Sequence, residues 1–137
     1  MERFRSLDDH ILVSADQILP EDLPVLAAQG VTLIVNNRPD GEEPGQPSAE
    51  QIGLAARAAG LSYRHIPVRG GFGRADIEAM AAAIDATKPG KMLAFCRAGT
   101  RSTWLWAMAR ASCGADPGEL AQQAACAGFD LSGFAGR

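Results

Sequence analysis

"KMLAFCRAGTRSTWLWAMARASC", Lys91 to Cys113, decides how the rest of the chain is read. "KMLAF" fits a short apolar strand, and "STWLWAMARASC" from Ser102 to Cys113 has the length and composition of a helix. Between them lies a loop with one cysteine, two arginines and one glycine. A loop that opens a helix faces unpaired backbone N–H groups and the positive end of the helix dipole. Gly99 can take a positive φ, so this loop can curl until successive amides point inward as a nest for an anion.

Strand and helix signals alternate on both sides of that stretch. Upstream, "HILVSA" (10–15) reads as a strand, with "FRSL" (4–7) as an edge strand before it. "PEDLPVLAAQ" (20–29) reads as a short helix opened by Pro20 and stopped by Gly30. "VTLIVNN" (31–37) is nearly continuous in apolar character, as a parallel strand buried on both faces should be. Ser48 and Gln51 form a capping box for a helix ending near Gly60, and "LSYRHIPV" (61–68) is the next strand. "ADIEAMAAAIDAT" (75–87) puts Ile77, Met80, Ala81 and Ile84 on one helical face. Downstream of Cys113, Asp116 and Pro117 start a last helix, and the glycine-rich segment 128–137 reads as a loose tail. The alternation predicts one α/β domain over 1–137, with a mostly parallel sheet flanked by helices. Ligands of such sheets sit beyond the carboxyl ends of the strands. The loops after Asn37 and Val68 should therefore converge on the loop from Cys96 to Arg101.

The 137 residues are 47% apolar and 21% charged, as in an ordinary globular domain. A net charge of −3 gives no reason to expect nucleic acid as a partner. No apolar run reaches the length of a membrane span, and the charged start "MERFRSLDDH" is unlike a secretory leader, so the cytoplasm is the default expectation. Three cysteines without a C-x-x-C pair, and only two histidines, argue against a zinc site or a disulfide framework. No metal or cofactor is expected.

Cys96 alone would read as a small buried hydrophobe. With Arg97, Gly99, Arg101 and Ser102 around it, between strand and helix, it reads as a nucleophile, because a positive amide nest favours thiolate over thiol. Arg101 supplies a planar cationic fork suited to oxyanions. Ser102 can donate a hydrogen bond to the sulfur. The backbones of Arg97, Ala98, Gly99 and Thr100 complete the candidate cradle. Arg38 and Asp40 lie in "NNRPDGE", where Pro39-Asp40-Gly41 is turn chemistry by itself. The functional alternative has Arg38 lining the anion pocket and Asp40 orienting an arginine. Arg69, beside two glycines, either contacts substrate or is solvated. Trp104 and Met108, four apart on one helix, read as core, and burial is the expectation for Cys126.

"CRAGTRS" resembles the active-site loop shared, with variation, by tyrosine-phosphatase-like and rhodanese-like enzymes. The wider pattern, including "NNRPDGEEPGQPS" and "HIPVRGG", is similar to the beta-lactamase-hydrolase-like phosphatase domain over about residues 4–112. That bacterial family has a dual-specificity-phosphatase-like fold, and some members are labelled sulfur transferases. The resemblance implies Cys96 as nucleophile and Arg101 as the anion-binding arginine.

Three departures from the phosphatase pattern bear on the reaction. Phosphatase loops of this kind hold five residues between Cys and Arg, whereas Arg97 to Thr100 are four, as in the C-R-x-G-x-R loops of sulfurtransferases. Phe95 stands where a histidine is usual. The general acid expected soon after "HIPV" is replaced by Arg69-Gly70-Gly71. Asp76 is the remaining candidate acid, but at a helix start the dipole favours its ionised form. The leading expectation is therefore sulfur transfer through a Cys96 persulfide, from a small sulfane-sulfur donor to a thiol, cyanide or sulfite, with a thiol acceptor protein as a candidate partner. The alternatives are hydrolysis of a phosphate ester through a cysteinyl-phosphate, and a non-catalytic anion-binding module.

Overall fold

The computed structural model describes residues 2–132 and 134. The elements run β1 (Phe4–Ser6), β2 (Ile11–Ser14), α1 (Asp22–Ala28), β3 (Val31–Asn36), α2 (Ala49–Ala58), β4 (Ser62–His65), α3 (Arg74–Thr87), β5 (Lys91–Phe95), α4 (Thr100–Ser112) and α5 (Pro117–Cys126). The strands form one sheet in the order β1-β2-β5-β3-β4. Only β1 pairs antiparallel; β2, β5, β3 and β4 are parallel neighbours. This is the α/β, mostly parallel architecture expected from the alternation of elements.

Period-two side-chain alternation splits the core into two layers. Met92 and Ala94 of β5 face a core shared with α3, α4 and α5, while Leu93 and Phe95 face one shared with α1 and α2. β5 is thus buried on both faces and lies mid-sheet, which fixes the direction in which Cys96 leaves it.

Two expectations change. β4 is shorter than the predicted 61–68, spanning only Ser62–His65 at the edge of the sheet. The chain still follows β3, with Ile66 and Val68 donating to the carbonyls of Asn36 and Asn37. The tail predicted to be loose from residue 128 is packed where it is described: Phe129, Leu131 and Phe134 are buried in the α3–α4–α5 core. Glycine density hid three apolar anchors there. The remaining tail positions, 133 and 135–137, lie outside the described residues. Among the described residues, no helix is long and apolar enough to cross a membrane.

Candidate active site

Cys96 follows β5 directly and is 1% exposed. Four residues later α4 is under way, so the chain must reverse within Arg97–Thr100. Gly99 makes the reversal possible with φ +93°. Its N–H points back at the sulfur, donating to Cys96 Sγ at 3.2 Å. The first-turn amides of α4 have no intrahelical acceptor by the geometry of any helix start. Gly99 is buried, whereas Arg97, Ala98 and Thr100 are exposed on the outer side of the loop.

Arg101 lies in the first turn of α4 and reaches back toward the sulfur. Its Nη1 donates to Glu42 Oε2 at 2.9 Å and to the Val68 carbonyl at 2.8 Å, and its Nη2 donates to Glu42 Oε1 at 2.8 Å. These bonds fix the plane of the guanidinium, a bidentate geometry that lysine cannot reproduce. Its pKa is raised further above its ordinary value, first by Glu42, with the sulfur of Cys96 contributing as a neighbouring charge and as a hydrogen-bond acceptor. Glu42 is pulled down to about 2, chiefly by Arg101 and then by Arg38, so it stays ionised throughout the neutral range.

The ion pairs extend behind the loop. Arg38, 2% exposed, donates to Glu42 Oε1 at 2.9 Å, to Glu43 Oε1 at 2.5 Å and to Gln17 Oε1 at 2.8 Å. Arg97 approaches Glu43 Oε1 at 3.4 Å. The adjacent glutamates therefore tie both loop arginines to a single buried guanidinium. Arg38 does not line an open anion pocket, since the carboxylates and an amide take up its fork. Asp40 orients no arginine; it accepts from the Ala49 N–H at 2.7 Å at the start of α2. The orienting carboxylate is Glu42.

Ser102 is also placed differently from expectation. Its hydroxyl donates to Asn37 Oδ1 at 2.8 Å, not to the sulfur. Asn37 Nδ2 in turn donates to the Ile66 carbonyl at 3.0 Å, so one buried amide ties α4 to β3 and the chain after β4. Asp76 is a helix cap: its Oδ2 accepts from the Gly73 N–H at 2.9 Å. Cys126, expected to be buried, is exposed, as is Cys113.

A pocket of about 400 Å³ opens against Thr100 and Arg101, walled by Arg69 to Phe72 on one side and by Trp104 and Met108 on the other. Arg69 is thus at the site, though exposed. Trp104 and Met108, read from sequence as core, pack against the core and line this pocket as well. Glu42, Glu43 and Asn37 went unnoticed in the sequence. Two acids directly after "RPDG", with two arginines waiting in the cysteine loop, were the available signal.

A cysteine at the end of a central parallel strand, an amide from the next helix turn on its sulfur and a clamped arginine define a phosphatase-like cysteine domain. The comparisons agree. The family model described as "Beta-lactamase hydrolase-like protein, phosphatase-like domain" matches residues 3–113, and the chain belongs to that family. A beta-lactamase hydrolase-like protein of Agrobacterium fabrum is 45% identical over 101 residues, covering 73% of this chain and 23% of that protein. One from Xylella fastidiosa is 47% identical over 83 residues, 60% of this chain and 19% of its own length. The chain thus spans about a quarter or less of these curated relatives. Among solved structures, a candidate phosphatase from Neisseria meningitidis superposes with TM-score 0.82 at 33% identity, covering 100% of this chain and 96% of that one. The kinase associated phosphatase shares the fold alone, with TM-score 0.74 at 15% identity and coverage of 95% and 86%.

Proposed function

We propose that Cys96 carries sulfane sulfur as a persulfide. One observation carries this reading: the candidate carboxylates are already engaged as hydrogen-bond or ion-pair acceptors. Glu42 is ionised by two arginines, and Asp76 and Asp40 accept backbone N–H groups. Expelling an alkoxide from phosphorus calls for a general acid. Sulfane transfer does not. The Cys96 thiolate attacks the outer sulfur of thiosulfate, the S–S bond breaks, and its electron pair leaves on sulfite. The Cys96 persulfide then passes its terminal sulfur to an attacking thiolate or cyanide, and the thiolate is regenerated. The Gly99 amide and the Arg101 guanidinium stabilise negative sulfur at both stages.

Mass spectrometry after incubation with thiosulfate or a glutathione persulfide should show one added sulfur on Cys96 and none in Cys96→Ser. Turnover to thiocyanate should vanish in the same variant. Wild type without sulfur loading, or with turnover equal to Cys96→Ser, ends this reading.

A second reading, hydrolysis of a phosphomonoester through a cysteinyl-phosphate, is favoured by the family and by the phosphatases that share the fold. It predicts a gain of phosphate on Cys96 and activity on an aryl phosphate, whose good leaving group needs little protonation. In either case the substrate is a small anion. A thiol acceptor protein belongs to the first reading only.

A further inference from the structure

Among the described residues, Arg38 is the one charged side chain enclosed in the protein, at 2% exposure. Burying a guanidinium is costly even when it is paired, and apolar side chains of similar volume often serve stability as well or better. Stability alone therefore gives no account of a cation at this position. Nor does Arg38 aim at the reacting atom, since its nitrogens donate to Glu42, Gln17 and Glu43.

Glu42 is what makes the buried charge useful. It lies outside any helix or strand, between Gly41 and Gly45, both at positive φ. A glutamate on such a loop has rotamer freedom to lose before it can clamp anything. Its Oε1 accepts from Arg38 Nε at 2.9 Å and from Arg101 Nη2 at 2.8 Å, while Oε2 accepts from Arg101 Nη1 at 2.9 Å. One oxygen shared by two guanidiniums fixes the plane of the carboxylate, and Arg38 is the member that cannot shift. Its own N–H donates to Asn36 Oδ1 at 2.9 Å, and its carbonyl accepts from His65 Nε2 at 3.0 Å. Its Nη1 is seated on Gln17 Oε1 at 2.8 Å. Gln17 belongs to the β2–α1 loop, where its carbonyl accepts from Arg3 Nη2 at 2.9 Å and its Nε2 donates to the Ile18 carbonyl at 2.8 Å.

We propose that Arg38 is a positioning residue for the Cys96 reaction: seated on Gln17, it holds Glu42 and so presets the Arg101 guanidinium beside the sulfur before substrate arrives. The inference rests on Arg101 serving the cradle, as in the proposed function, but not on which group is transferred.

Two variants carry the test, each checked for folding by circular dichroism. Gln17→Ala removes the Nη1 anchor without changing any charge in the cluster. Arg38→Lys keeps the charge and loses the fork. The first readout is the arginine side-chain region of ¹⁵N-resolved NMR spectra, with the Arg101 signals assigned by their loss in Arg101→Lys. A locked guanidinium gives separate Nη proton signals, and a rotating one gives averaged signals. Wild type should show them separate for Arg101, and both variants should average them. The second readout is the rate at which Cys96 gains sulfur from thiosulfate, or phosphate from an aryl phosphate. It should fall about ten-fold or more in Arg38→Lys and by less in Gln17→Ala. Adding Arg38→Lys to Glu42→Gln should slow loading by no more than about two-fold further, because the two residues act along one path. The NMR readout needs no substrate, so failure of the chemistry and failure of the positioning are told apart. If Arg38→Lys does not fold, Gln17→Ala decides alone. Averaged Arg101 signals in wild type, separate signals kept in every folded variant, or full additivity with Glu42→Gln overturns the inference.

Discussion

A methyl group at position 99 would lie 2.7 Å from the Phe129 ring and 2.7 Å from the Ser14 carbonyl, while the backbone sits at φ +93°. Both the conformation and the space exclude a side chain. Gly99→Ala should lower stability by about 1–3 kcal/mol or more. A urea midpoint that falls with its slope unchanged would show this, and sulfur loading of Cys96 should fall with it, because the amide on the sulfur belongs to this residue. Asp76 gives the opposite case. As a cap on α3, its replacement in Asp76→Ala should cost about 1 kcal/mol of stability and leave sulfur transfer intact. A large loss of turnover in a folded variant would restore it as the acid. At this scale the turn at Gly99 and the places of Cys96 and Arg101 between strand and helix were legible, because strand, turn and helix signals are local. The sequence misplaced Ser102, because nothing local says that its hydroxyl meets Asn37, far upstream in the chain.

The elements around the site communicate through charge. Glu42 ionises near 2 in the folded chain against an ordinary 4.5. The stability gained from its pairing is therefore fully present above about pH 4.5 and is lost as the pH falls through about 2. Glu42→Gln should be less stable at neutral pH and should show a flatter decline across that acid window, measured by thermal denaturation at fixed pH values. Loosening the Arg101 fork in this variant should also slow sulfur loading, on the order of 10–100-fold. β5, α2 and α4 were legible because their apolar spacing and caps lie within each segment. The clamp was not legible, since it joins the β3–α2 loop to α4 only once β5 lies next to β3.

Sheet order is a property of the whole molecule, and with parallel pairing it gathers the three loops at the carboxyl end of the strands. The same holds for the tail. Phe129 backs the cysteine loop and Phe134 backs Trp104, so the last described segment supports both the cradle and the pocket. Ending the chain after Gly128 should lower the melting temperature by more than about 10 °C, because truncating even one buried phenylalanine side chain costs about 3–5 kcal/mol. A truncated protein that melts like the full chain and still loads sulfur would refute that support. Composition alone could not reveal this, for glycines dilute the three apolar anchors.

The ion cluster behind the loop contains three guanidiniums, Arg38, Arg97 and Arg101, and two carboxylates, Glu42 and Glu43. Its formal sum is one surplus positive charge, which the thiolate or persulfide anion of the proposed function would cancel. A second anion entering the cradle then meets a cluster with little net charge, a much shallower well than a bare cationic patch would offer. Departing sulfite should accordingly escape easily, and simple salts should compete only weakly with the incoming donor.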